Sequence, residues 1–287
     1  MGRHCGILSL LPLFAAAAFG QMLTSSSFST GPDKSFQAAV TFQTPMLVPH
    51  PIVGAPYYGE HISEDVQTLA NGAHITRSSQ YQRTWRDSQG RTRTERLVAK
   101  TSLPDVPPLI QITDPVAGYF YALDAGKKVV HRVALTLPGG AQSVNSAPMS
   151  NGAAPRTGAA GSGSAAIAVA GSAIERKSEA PRPQISQEAL GTKTLDGIVV
   201  EGSRTTTVYP IGSANNDAPF STTVETWRSP DLNLVLLMTN DDPRTGVIVS
   251  KIVNLNTQEP DPALFVPPPD YTIVDETGSF TITWGAQ

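Results

Sequence analysis

The sequence predicts a mainly β fold, a curved antiparallel sheet or half-barrel of about ten strands with few short helical turns. Three observations carry this. Polar and apolar residues alternate over long stretches from Tyr57 onward, the two-residue period of half-buried strands. Turn signals punctuate those stretches, with 24 Gly and 24 Pro in 287 residues. Only 16% of residues are charged, which excludes coiled coils and helical bundles, while the 40% hydrophobic content is too high for wholesale disorder.

Residues 1–20 read as a secretory signal peptide. A weakly basic start, Met1-Gly2-Arg3-His4, precedes an apolar run from Cys5 to Phe19, and Ala18 and Gly20 place small residues before a cleavage point near Gly20. Cys5 precedes the apolar run, so no lipid anchor is indicated, and the mature chain has no cysteine for disulfides, thiolate metal sites or nucleophilic catalysis. The formal charge of −3 gives no global basic field for nucleic acid. No later run approaches the length of a membrane-spanning helix. The expectation is an exported protein, periplasmic or extracellular, that does not span a membrane.

Residues 21–56 read as an extended arm with one strand near Phe36–Phe42. Residues 57–138 form a first antiparallel β half. Asn71-Gly72 suits a two-residue hairpin loop, and Asp87-Ser88-Gln89-Gly90 a type I turn with a glycine bulge. Counting outward from these turns places Ile62 opposite Tyr81 and Glu60 opposite Arg83 on one side. On the other it places Tyr81 opposite Leu97, Arg83 opposite Glu95 and Trp85 opposite Arg93. A third turn falls at Asp124-Ala125-Gly126.

Residues 139–184 differ in kind: 30 of these 46 are Gly, Ala, Ser or Pro and none is aromatic. Such a stretch cannot offset its chain entropy by burial, so it reads as a long disordered insertion, a low-complexity linker. Residues 185–287 form a second β half. Strand signals cover Gly197–Tyr209, Ser221–Trp227, Leu234–Asn240, Gly246–Asn256 and Ser279–Trp284, with one helical turn at Pro260–Phe265.

Several phrases carry a resemblance. Glu64-Asp65-Val66-Gln67-Thr68-Leu69-Ala70-Asn71-Gly72, Arg86 to Arg93 and Thr113 to Gly118 in the first half, with Glu225 to Leu232 and Glu259 to Phe265 in the second, resemble a group of uncharacterised exported bacterial proteins. More loosely, the long meander and the Phe265-Val266-Pro267-Pro268-Pro269-Asp270-Tyr271 segment resemble the LolA/RseB-type half-barrel. That resemblance implies binding of acyl chains or an envelope partner rather than catalysis. The chain departs from that pattern in its long insertion and its lack of obvious covering helices.

Motifs for nucleophile elbows, zinc proteases, phosphate loops or dinucleotide binding are missing from the sequence. The hairpin register sets His61 and His74 far apart along the sheet, so no metal site is expected, and no cofactor is expected either. Asp241-Asp242 is a carboxylate pair on a turn, open to weak calcium binding but better read as a plain turn. The segment from Arg77 to Lys100 carries seven basic residues against Asp87 and Glu95. Arg77, Arg83, Arg86, Arg91, Arg93 and Arg96 could form a surface for an anionic partner, or a solvated sheet face with Arg83 held between Glu60 and Glu95 and Arg93 stacked on Trp85. Tyr81, Trp85, Trp227 and Phe265 could line a groove for an apolar ligand, or fill a β core. The leading functional reading is a non-enzymatic binder of a lipid or envelope protein. Second is a structural or surface-interaction protein with a filled core, and third a hydrolase.

Overall fold

A computed structural model describes residues 23–30, 36–47, 50–69, 71–98, 106–136 and 181–285. The expected signal peptide and nearly all of the low-complexity segment lie outside these residues. The strands, in chain order, are β1 (Leu23–Thr30), β2 (Phe36–Phe42), β3 (Met46–Leu47), β4 (Tyr57–Thr68), β5 (His74–Arg86), β6 (Thr92–Arg96), β7 (Leu109–Asp114) and β8 (Tyr119–Asp124). They continue with β9 (Val129–Thr136), β10 (Gln184–Leu195), β11 (Ile198–Tyr209), β12 (Phe220–Ser229), β13 (Leu234–Asp242), β14 (Gly246–Asn256), β15 (Thr272–Asp275) and β16 (Phe280–Gly285). A single 3-10 turn, Pro262–Phe265, is capped by the Asp261 carboxylate accepting from the Ala263 amide.

Two sheets result. The large one runs β10-β11-β12-β13-β14-β4-β5-β6-β7-β8-β9-β15, with β3 pairing farther along β9, and it is curved and unclosed. The antiparallel pairing of β14 with β4 joins the two sequence halves into one sheet. The small sheet, β1-β2-β16, lays Val40 and Phe42 of β2 and Phe280, Ile282 and Trp284 of β16 against Leu109, Phe120 and Val133 of the large one. Phe42 stacks on Phe280 with centroids 4.7 Å apart. On the reverse side of β7–β9 the 3-10 turn delivers Phe265 onto Ile112, Leu123 and Val130. This end is therefore three layers thick. Toward β10 the sheet thins: the strands there meet chiefly their ladder neighbours, and apart from the cluster of Val200, Leu234, Leu236 and Ile252 most of their side chains are half-buried or exposed.

Two turns show how local chemistry sets the register. Leu195 pairs with Ile198 across Asp196 (φ 49°) and Gly197 (φ 82°), a two-residue turn whose residues must both adopt positive φ. The Asn71-Gly72 loop is one residue longer than expected. Thr68 pairs with His74, and the Leu69 amide donates to the Ala73 carbonyl at 2.8 Å, which sets Ile62 opposite Gln80 and not opposite Tyr81. Tyr81 is then the extra residue of a bulge, and beyond it Glu60 regains its expected partner Arg83. The β5–β6 register agrees with the sequence count: the Leu97 amide donates to the Tyr81 carbonyl, Arg83 faces Glu95, and Trp85 faces Arg93. Further register shifts at Ala189/Gly191, Trp227/Arg228 and Val253/Asn256 add curvature, since each unpaired residue bends its strand.

Arg86 is the one large cation fully inside among the described residues, 1% exposed. Its Nε donates to the Ala55 carbonyl at 2.8 Å, its Nη2 donates to the Leu232 carbonyl, and the guanidinium lies over the Tyr57 ring. Next to it Asp87, equally buried, accepts from the Gln89 and Arg91 amides and pairs with the Arg91 side chain at 2.6 Å.

Arg86→Met should lower stability by about 3 kcal/mol, because two buried carbonyls lose charge-assisted donors. Arg86→Lys should recover less than half of that, as one ammonium cannot serve both carbonyls; urea denaturation measures each. The register alone ranks Arg83→Glu as more damaging than Arg91→Glu, and the structure reverses the order. Arg91→Glu sets a second carboxylate against buried Asp87 and should cost roughly 2–4 kcal/mol, against under about 1 kcal/mol at exposed Arg83.

Candidate functional site

The centre of the large sheet, β4 to β7, presents two chemically different faces. Strand alternation puts Tyr58, Glu60 and Ile62 on one face and Tyr57, Gly59 and His61 on the other. Trp85 packs against Tyr58, ring centroids 5.1 Å apart, and so belongs to the first face. Thr84 meets His61, Oγ1 to Nε2 3.2 Å, and belongs to the second.

On the Trp85 face a shallow, open depression of about 330 Å³ has Tyr58, Trp85 and Leu264 as its apolar lining and Asn256 and Gln258 at its rim. Two carboxylates at its border are committed elsewhere: Glu259 accepts from the Ser88 amide and hydroxyl, and Asp261 caps the 3-10 turn. The Tyr58 hydroxyl donates to Glu60, and burial together with that acid pushes its pKa up to about 12. Glu60 also accepts from Gln80 Nε2 at 2.8 Å.

From this depression a line of half-buried side chains, apolar except for Lys251, crosses the thin part of the sheet on the same face. Val253 lies opposite Glu60, then Ile62, Lys251, Leu237 and Trp227 follow one another in register across β4, β14, β13 and β12. Trp227 closes over Gly202 of β11, where an added Cβ would come within 2.5 Å of the indole ring, so no other residue fits beneath it. The Lys193 ammonium rests 3.6 Å from the Trp227 ring centroid. Lys251, within the line, pairs with Glu64 at 2.8 Å, and Arg204, beside it, with Glu225 at 2.6 Å, so both charges are neutralised.

Of the four aromatics singled out in the sequence, only two meet; Trp227, although level with Leu237 in the ladder, packs against the core cluster of Val200, Leu234 and Leu236. Trp85 and Phe265 meet in one cluster, with Phe265 1% exposed and part of the core. Trp227 lies four strands from Trp85, about 19 Å across the ladder. Tyr81 is turned away by the bulge and packs on His61, ring centroids 5.9 Å apart, on the opposite face.

The arginines scatter likewise. Arg77 approaches Asp65 at 3.9 Å, Arg86 is interior, Arg91 is held by Asp87, and Arg93 by Glu95 at 2.7 Å and by the Leu264 carbonyl. Arg93 thus bonds Glu95 rather than stacking on Trp85. Arg83 stands between Glu60 and Glu95 in the ladder but bonds neither, since both acids are taken by nearer donors. Arg83 and Arg96 have no ion pair among the described residues, and they face opposite sides of the sheet.

Among the described residues no three of His, Cys, Asp and Glu converge as metal ligands, and no helix is long and apolar enough to cross a membrane. Asp242, the acid of the possible calcium turn, is bound by its neighbour Arg244 at 2.6 Å. The signals that sequence reading missed are Tyr58 and Leu237, ordinary strand residues whose role comes only from their register.

No protein-family model and no curated protein matches the sequence. Among solved structures the chain is similar to an uncharacterized conserved protein from Thermus thermophilus, at 10% identity over 77% of this chain and 91% of that one, TM-score 0.35. It is also similar to the MucA/MucB complex of Pseudomonas aeruginosa, at 12% identity over 77% and 58% of the chains, TM-score 0.33. LprF from Mycobacterium bovis matches at 12% identity over 73% and 90%, TM-score 0.23. MucB and LprF have LolA/RseB-like folds. At these TM-scores the likeness assigns no function.

His61 offers a pH test of the second face. Burial disfavours its imidazolium and lowers its pKa from 6.5 to about 4. The unfolded chain then takes up a proton near pH 6.5 that the folded protein refuses until about pH 4. Stability is full above pH 6.5 and falls as pH drops through that window, by at most about 3 kcal/mol. Subtracting the urea stability of His61→Gln from that of the parent at each pH should isolate this slope; a flat difference would place His61 in solvent.

Proposed function

We propose that the chain is an exported, non-enzymatic binding protein whose Trp85 face receives a lipophilic ligand or the apolar segment of an envelope partner. The observation that carries this reading is the line from Trp227 through Leu237, the Glu64-paired Lys251, Ile62 and Val253 to the Tyr58–Trp85 depression, mostly apolar and left half-buried by the described residues. Its length suits an extended acyl chain, roughly 20 Å from end to end across four strands. Binding rather than catalysis is supported by the state of the acids beside it. Glu60, Glu95, Glu259 and Asp261 each already hold a donor of the protein, so none stands ready as an acid or base.

Native mass spectrometry of protein purified gently from the exported fraction, with solvent extraction, is expected to show a stoichiometric lipid. Leu237→Glu should weaken binding of a fluorescent fatty-acid probe at least tenfold, while Ile248→Glu, on the opposite face, should change it less than twofold. Retention of the probe by Leu237→Glu would sink the lipid reading. A clean apo mass together with cross-linking to an envelope protein through Leu237 would select the partner instead.

A further inference from the structure

The opposite face carries a feature that the proposed function does not use. Across β4 to β7 its register positions are almost entirely polar: His61, Gln82 and Arg96 in one row, Thr84, Thr94 and Gln111 in the next. This patch separates two apolar clusters, one under the small sheet and one around Tyr57 and Ile252. A polar patch in such a place is expensive unless its groups are satisfied. Most are. Gln82 donates to Thr84, Thr84 meets His61, and Thr94 Oγ1 donates to Gln111 Oε1 at 3.4 Å.

Two donors are left over. Gln111 is 4% exposed, and its Nε2 has no acceptor among the described residues. Arg96 is half-buried, with neither an ion pair nor a hydrogen bond among the described residues, and burial depresses its pKa. Arg96 follows Thr94 by two residues on the same face, and Thr94 pairs directly with Gln111, so Arg96 and Gln111 are diagonal neighbours. Long side chains reach each other at that separation. The acids of these strands do not compensate: Glu60, Glu64, Glu95 and Asp114 point to the other face, and Asp65 is approached by Arg77.

We propose that Arg96 and Gln111, set by Thr94, form a binding site for an oxyanion, the carboxylate or phosphate group of a small ligand or a lipid head. The planar guanidinium fork can bond two oxygens of such a group, and the orphan amide supplies a further N–H. Buried between apolar clusters, these donors see a low dielectric, so a matching anion gains more there than at the surface. The site lies across the sheet from the apolar line and stands whether or not that line binds lipid.

Thermal unfolding of the mature chain is the test, with inorganic phosphate or acetate compared against chloride at equal ionic strength. At about ten times its dissociation constant, the bound anion should raise Tm by about 2–4 °C. Arg96→Gln should abolish this rise and weaken the affinity, measured by calorimetry, at least tenfold. Gln111→Leu removes the orphan donor without unburying anything. It should raise Tm in chloride and weaken the anion severalfold, so it reports even if Arg96→Gln misfolds. An equal rise in parent and both variants would mean general stabilisation by the excluded salt and would overturn the site. Saturation by phosphate but not acetate would identify a phosphoryl ligand, and the reverse a carboxylate.

Discussion

The fold hangs on a cation placed where no carboxylate answers it. Arg86 ends β5, yet its guanidinium serves the carbonyl of Ala55, ahead of β4, and that of Leu232, in the turn before β13. One side chain thereby ties together segments separated by 146 residues of sequence and fastens the first half of the chain to the second. Carbonyl partners suit this task. They neutralise no charge, so the Tyr57 ring supplies the remaining stabilisation through its face. The Tyr57–Leu232–Ile252 cluster packs around this knot, and the seam between β14 and β4 continues from it.

From that knot the sheet acquires two faces with different chemistry, and a single bulge decides which aromatic goes where. Without the extra residue at Tyr81, alternation would align Tyr81, Arg83 and Trp85 on one side. With it, Tyr81 joins His61 and the polar patch, while Trp85 stays with Tyr58 and the apolar line. A β-bulge is a cheap way to divide function between faces, because it re-aims one side chain and leaves the ladder on either side intact.

Much of this was legible in the sequence where the determining interactions are local. The Asp87–Gly90 turn and the β5–β6 pairing follow from four residues and a count. The first hairpin was half legible: a longer loop and the bulge are each one residue off, and the two errors cancel below Tyr81 and not above it. What stayed hidden is non-local. β10 lies against the low-complexity segment in composition, although Asp196-Gly197 between Leu195 and Ile198 is a hairpin signal as strong as Asn71-Gly72. β15 has four exposed residues and no alternation; it pairs in parallel with β9, flanked by Arg132 on Asp275 and, just ahead of the two strands, Lys128 on Asp270. The arginine pairings were hidden for the same reason. Glu60 and Glu95 face Arg83 in the ladder, but a tyrosine, a glutamine and Arg93 reach them first, and charge spacing along a strand does not reveal which donor is nearer.

The small sheet has a consequence for how the chain must come together. β2 and β16 lie side by side, with Thr41 and Thr281 in hydroxyl contact across 240 residues of sequence. The aromatic stack of Phe42 on Phe280 thus joins the early and late ends of the described chain. Closing so long a loop is entropically unfavourable until the intervening strands have ordered, which places this protein among slow-folding topologies. A chain delivered from its N-terminus can pack Phe42 on Phe120 early, but the side of the ring that stacks on Phe280 stays uncovered until that residue has arrived. Through most of its delivery β2 lacks its β16 neighbour and keeps one open edge, the kind of surface that makes a partly folded chain prone to aggregate.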